Sequence, residues 1–221
     1  MDDIGSIKIS DLKEWYDSYY TPSNAIVIIA GDIDFTKTKK MVEKHYGQIE
    51  DRKVMRYIGS INHKTSYEDI LTYDKVSKPI VLMSYKHEPF SEDNKKEMYT
   101  LELLFELMDG SNSSRFAKNL VDKKMVAMNT FISFDTYSAN DNLITLGGSP
   151  RSGVTLNKFR DEILNEFKEF VKNGLEEGEL EQVKSRLLAN NIYKFDSVFY
   201  QVMQVGMLET KGYNWKLLDA Y

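Results

Sequence analysis

The chain has 221 residues, 42% of them hydrophobic, which is enough apolar material for a packed core and excludes a disordered chain. Lys and Arg number 29 against 34 Asp and Glu, a formal net charge of -5 with both signs interspersed, which excludes a nucleic-acid groove and a polybasic membrane patch. The absence of cysteine excludes disulfides, thiolate metal ligands and a Cys nucleophile.

No apolar run approaches the roughly 20 residues of a membrane helix, and the acidic opening Met1-Asp-Asp-Ile-Gly-Ser6 lacks the apolar centre of a signal peptide. From Asp11 to Thr21, Leu12, Trp15, Tyr16 and Tyr19 recur at helical spacing, with Ser10 as the expected cap. Pro22 ends that helix by pushing Thr21 out of the helical region. Ala25 to Ala30 is an unbroken apolar run rich in Ile and Val, which predicts an interior strand covered on both faces and stopped at Gly31-Asp32. Phe35 to Tyr46 predicts a helix with Asp34 or Thr36 near its cap and Gly47 past its end. A helix-strand-helix unit cannot cover its own strand. It is read either as the tail of a larger layered domain or as a piece of a sheet that later strands complete.

Residues 51–66 read as a connector. Tyr67 to Tyr73 and Pro79 to Tyr85 follow as expected strands, the second broken by Glu88-Pro89. Ser91 to Met108 predicts a helix capped by Ser91, with Met98, Leu101, Leu104, Phe105 and Met108 in one stripe. After the turn cluster Asp109 to Ser114 come a short helix, Arg115 to Lys124, and two hairpin strands, Ala127 to Tyr137 and Asn142 to Gly147. Leu156 to Phe170 keeps helical spacing up to Asn173-Gly174, and further helices are expected at Glu177 to Lys194 and Ser197 to Thr210. The order predicts an α+β fold, a layered antiparallel or mixed sheet packed against helices.

Chemistry-bearing residues are few. Of the three histidines, His45 reads as a helix-end residue, His63 as an exposed connector residue, and His87 as the start of a failed H-E-x-x-H, since Pro89 breaks the helix and Ser91 takes the second His position. Ser113-Ser114 lacks a nucleophile elbow and reads as helix capping. Gly147-Gly148-Ser149-Pro150 lacks a phosphate loop's Gly-Lys ending and reads as a turn closing a strand. The apolar stripe of Leu156 to Phe170 fits core packing or a partner helix, and Glu176 to Glu181 a solvated helix start.

Several pieces stand in an order shared with a known family: Tyr19-Tyr20-Thr21-Pro22, Asn24, Ile26 to Ile29, Gly31-Asp32 and Tyr46-Gly47, then Gly110, Ser113-Ser114-Arg115, Leu120-Val121, Ala127 and Gly178-Glu179-Leu180. In these the chain resembles the C-terminal domain of the M16 metallopeptidases, the pitrilysin, insulin-degrading-enzyme and mitochondrial processing peptidase family. The resemblance implies a metallohydrolase-like half of such a peptidase. Residues 1–50 would be the tail of the N-terminal catalytic half, 51–66 a connector and 67–221 the C-terminal domain, cut short at its end. It also implies zinc in the parent protein, held by an H-x-x-E-H helix with its Glu as base. No two histidines of this chain have that spacing, so no catalytic, metal or substrate-binding residue is assigned and no cofactor is expected in this chain. Some members carry an Arg and, seven residues on, a Tyr that hold substrate backbone. Those positions are Val121 and Met128 here, both apolar and unable to donate the required hydrogen bonds.

The chain is therefore expected to be a non-catalytic fragment of a zinc peptidase whose Arg and Tyr come from a second M16-type half or subunit. The alternative is a domain of a catalytically inactive partner or scaffold. The implied partners are the H-x-x-E-H half and, in the parent, a peptide substrate. Apolar faces left by a missing half would favour self-association.

Overall fold

The computed structural model describes residues 2–54, 78–140 and 142–220. The expected strand Tyr67 to Tyr73, most of the expected connector and His63 lie outside them. The chain forms two compact units, Met1–Lys64 with Lys194–Tyr221, and Thr65–Tyr193. The C-terminal helix expected with residues 67–221 is thus grouped with the N-terminal segment.

The larger unit is an α+β layer. Three antiparallel strands, β1 (Val81–His87), β2 (Ala127–Ser133) and β3 (Asn142–Pro150), lie in the order β1-β3-β2. In register, Met83, Leu146 and Ile132 form one row, and Leu82, Gly147 and Phe131 the next. Period-two alternation puts these rows on opposite faces of the sheet. The first face packs on α4 (Lys95–Asp109) and α5 (Leu156–Asn173) through a core of Met108, Phe116, Leu120, Phe159 and Ile163, all fully buried. The apolar stripe of α5 is therefore core, held by a Thr155 cap and closed by Gly174 at φ +73°. α6 (Glu179–Phe195) follows, with Val183 and Leu187 in the same core.

Two local expectations are corrected, and one helix takes an unexpected form. Helix α4 begins at Lys95, not at Ser91, because Ser91 and Asn94 bond each other's backbone N–H in a turn (2.8 and 3.3 Å). Gly147-Gly148-Ser149-Pro150 is the end of β3, not a turn. There β1 and β2 approach so closely that a Cβ on Gly147 would lie 1.9 Å from the Val81 carbonyl oxygen, and one on Gly148 2.1 Å from that of Asn129. The Arg115 to Lys124 segment runs mostly as a π-helix, Ala117–Lys123.

In the other unit, α2 (Ile9–Tyr19) follows α1 (Asp2–Ser6) and precedes α3 (Phe35–Tyr46). α2 starts before Ser10: the Asp11 carboxylate accepts the Lys8 N–H at 2.9 Å, and Ser10 caps nothing. Its end matches the Pro22 argument, with Thr21 extended at φ -145°, ψ 152°. α3 has the predicted bounds, with Asp34 accepting from the Lys37 N–H at 2.8 Å and Gly47 at its end.

Ala25 to Ala30 is not an interior strand. It makes no ladder among the described residues, and Ile26, Val27 and Ile29 are 50, 48 and 46% exposed. The sequence specifies an apolar strand, but no described strand of this chain pairs with it. Ile28 packs towards Gly206 of α7 (Val198–Thr210), where a Cβ would meet its Cδ1 at 3.3 Å.

Candidate functional site

Two residues of the turn motif and the late-helix motif meet in space. Arg115 donates from Nε to Oε1 of Glu179 (2.7 Å) and from Nη2 to Oε2 (2.6 Å), and Nη2 also donates to the Gly174 carbonyl at 2.9 Å. Its guanidinium lies 5.0 Å over the Phe170 ring. The pair is largely shielded, so Glu179 is not the solvated helix-start residue expected for this acidic run. Hydrogen bonding to Arg115 holds its carboxyl below the ordinary value.

Arg186 of α6 pins the other end of the turn, donating to the Glu106 carbonyl (2.8 Å) and to Ser111 Oγ (3.0 Å). Ser114 does not cap a helix with its side chain; its Oγ donates to the Ser111 carbonyl at 2.6 Å, and no histidine approaches it in sequence. The motif residues are thus a structural clamp fixing the turn after α4 against α6.

Beside the clamp lies a polar cleft of about 750 Å3, lined by Arg115, Asn119, Lys124 and Glu166 among others. Lys124 Nζ bridges Glu166 (2.7 Å) and Glu162 (2.9 Å), and Asn119 donates to the second Glu166 oxygen at 2.7 Å. Burial works against the Lys124 charge, but the two carboxylates outweigh it and raise its pKa. The charges cancel one another within the cleft, an arrangement suited to holding elements together.

His45 is exposed in the last turn of α3. His87 is buried at the end of β1, with Nδ1 2.8 Å from the Glu88 carbonyl oxygen, its ring against Phe134, and Nε2 without a hydrogen-bond partner among the described residues. Among the described residues no group of three His, Cys, Asp or Glu side chains is placed to hold a metal ion. No helix among them is long and apolar enough to cross a membrane. Val121 packs against the core, while Met128 is 47% exposed at the β2 irregularity.

Among the surfaces that carry exposed apolar side chains are one face of the sheet and a groove of the smaller unit. The second sheet face presents Leu82 (59% exposed), Leu143 (51%) and a cross-strand Ser84–Thr145 hydroxyl pair at 3.1 Å. In the smaller unit an apolar groove of about 760 Å3 is lined by Trp15, Tyr16, Tyr20, Val27, Tyr46 and Ile49. Tyr16 and Tyr20 stack with ring centroids 4.7 Å apart, and Trp15 meets Tyr20 edge to face at 5.5 Å. Sequence periodicity identified the aromatic face of α2 but not its exposure, which depends on what lies opposite.

The family described as Peptidase M16 inactive domain matches residues 6–187. The chain is 27% identical over 202 residues to the zinc protease PqqE of Helicobacter pylori, covering 89% of this chain and 44% of that protein. A solved protease structure from Helicobacter pylori matches with a TM-score of 0.83 at 21% identity, covering 99% of this chain and 53% of that one. A peptidase M16 inactive domain from Pseudomonas fluorescens matches with a TM-score of 0.71 at 14% identity, covering 97% of this chain and 50% of that one. The chain spans about half the length of the curated relatives it matches.

Proposed function

The chain belongs to the peptidase M16 inactive-domain family, and from that premise we propose that it is the non-catalytic half of a zinc-dependent peptidase, shaping the chamber in which another half cleaves peptides. The observation that carries this reading is the one-sided sheet. Helices α4 and α5 pack its first face, while Leu82, Leu143 and the Ser84–Thr145 pair are presented on the second. A wall of that kind offers apolar and hydroxyl contacts to an extended peptide.

In this reading an H-x-x-E-H half would hold the zinc with its own ligands, and the metal would supply the activation of water that peptide hydrolysis needs. The residues of this chain do not touch it. The Arg115–Glu179 clamp and the Gly147-Gly148 close approach keep the wall rigid. Within this reading, residues 1–50 would be the tail of the catalytic half, 51–66 a connector and the residues from 67 the wall domain, of which Lys194–Tyr221 group with the N-terminal unit. This is supported by the apolar run Ala25 to Ala30, which makes no ladder among the described residues. Val121 and Met128 favour a second M16-type half as donor of the substrate-holding Arg and Tyr. An inactive partner subunit is the alternative, and it differs in lacking the zinc helix in its other half.

The test is zinc content by plasma mass spectrometry alongside hydrolysis of quenched fluorescent peptides. The chain alone is expected to hold no stoichiometric zinc and to cleave nothing. Combined with the H-x-x-E-H half of its own reading frame, it is expected to restore cleavage. Zinc removable from the chain alone only by strong chelators, with peptide cleavage, would overturn the proposal.

A further inference from the structure

Glu166 stands where helical spacing calls for an apolar side chain. Phe159, Ile163, Glu166 and Phe170 run along one face of α5, and Glu166 is 4% exposed beside the fully buried Phe159 and Ile163. A buried charge is unfavourable unless paired and hydrogen-bonded, and the best-attested use of such a group is to fix a register.

Its partners identify that register. Asn119 Nδ2 donates to one oxygen of Glu166 and Lys124 Nζ to the other, both at 2.7 Å. In an α-helix, residues five apart point about 140° away from each other. Closing the turn from i to i−5, as a π-helix does, brings them towards one side, where a single carboxylate meets both. The backbone has that closure here, with the Lys124 N–H donating to the Asn119 carbonyl at 2.9 Å. An α-helix would offer Lys124 the Leu120 carbonyl, which instead accepts the Val126 N–H at 2.9 Å. The two registers compete for one acceptor and are therefore discrete states.

Strain gathers where the segment leaves for the sheet. Met125, at φ +50°, is the one non-glycine residue in the left-handed region among the described residues. Val126 follows, buried, its carbonyl accepting the Arg151 N–H at 2.9 Å, and Met128 is the extra residue at the irregularity of β2. We propose that Glu166 is a register latch. It holds Ala117–Lys123 in the π-helical state by gripping Asn119 and Lys124 together, and release of that grip returns the segment to an α-helix and shifts the entry to β2 at Met125.

Backbone NMR of the full chain tests this, reading the acceptor of the Lys124 amide from the coupling across its hydrogen bond and the φ of Met125 from its HN–Hα coupling. Glu166→Leu, which suits the apolar stripe, and Asn119→Ala break the latch. Lys118→Ala raises helix propensity beside it and leaves Glu166 its partners. Both latch variants are expected to move the Lys124 N–H to the Leu120 carbonyl and Met125 to negative φ, while Lys118→Ala keeps the wild-type pattern. Glycine tolerates the left-handed region, so Met125→Gly should change the folded-to-unfolded ratio at least threefold more favourably in the wild type than in Asn119→Ala. Should Glu166→Leu fail to fold, Asn119→Ala and this comparison decide. A folded Asn119→Ala that keeps the bond to the Asn119 carbonyl and a left-handed Met125 would overturn the proposal. So would a Lys118→Ala that loses them, or equal effects of Met125→Gly in the two backgrounds.

Discussion

Arg115 grips Glu179 through both carboxylate oxygens, at 2.7 and 2.6 Å, across 64 residues of sequence. The fork matches the carboxylate geometrically, and the Phe170 face covers the guanidinium. Arg115→Lys keeps the charge but loses the bidentate geometry and the contact to the Gly174 carbonyl. It is expected to lower unfolding stability by about 1.5–3 kcal/mol in urea denaturation. An unchanged midpoint would show that the clamp is ornamental.

The same pair sets an acid limb of stability. The Glu179 carboxyl is lowered below 4.5, first by its hydrogen bond to Arg115, so the unfolded chain binds its proton more readily. Its contribution is present above pH 4.5 and lost as pH falls through the folded value. Asp109 acts in the opposite sense. Burial raises its carboxyl above 3.8, against hydrogen bonds from Thr130 and the Ile132 backbone, so its contribution is complete below pH 3.8 and is lost as pH rises through the folded value. Melting temperatures measured from pH 3 to pH 8 should show Glu179→Gln flattening the acid limb. Asp109→Asn should gain on the wild type as pH rises.

Gly148 should not tolerate a side chain. Its φ of +153° disfavours an L residue, and the added Cβ would lie 2.1 Å from the Asn129 carbonyl oxygen. Gly148→Ala is expected to cost on the order of 3 kcal/mol or more, or to prevent soluble expression. Gly153→Ala is the comparison at φ +84°, with nothing within 4 Å of the new Cβ, and should lose far less.

His87→Phe is expected to change stability by no more than about 1 kcal/mol. It gives up one contact to the Glu88 carbonyl and relieves a buried Nε2 that has no partner among the described residues. Chemical denaturation checks this. A loss of several kcal/mol would mean that Nε2 is satisfied by a group yet to be found.

Where a local signal and its tertiary setting agreed, the sequence was readable. The Asp34 cap and Gly47 bounded α3, and the apolar stripe of α5 pointed into the core. Legibility failed where a neighbour decides. The run Ala25 to Ala30 has strand composition, yet strand pairing belongs to two segments, and no described residue of this chain supplies the second. Gly147 and Gly148 looked like a turn because glycine serves turns and close backbone approach alike, and only the positions of Val81 and Asn129 distinguish these uses. Glu179 looked solvated because its partner lies far away in sequence. Ser113-Ser114-Arg115 and Gly178-Glu179 were read separately, and the ion pair that joins them has no local signature. For the site, the lack of His spacing was readable directly. The aromatic groove was half readable, as a periodic face whose exposure the sequence does not encode.

The central claim is that this chain is the non-catalytic half of a zinc peptidase, and the reading frame upstream of Met1 tests it most directly. Sequencing that region should find a helix-forming H-x-x-E-H followed by a further Glu. An upstream half without them would make the whole protein an inactive partner, and a frame encoding nothing upstream would contradict the account.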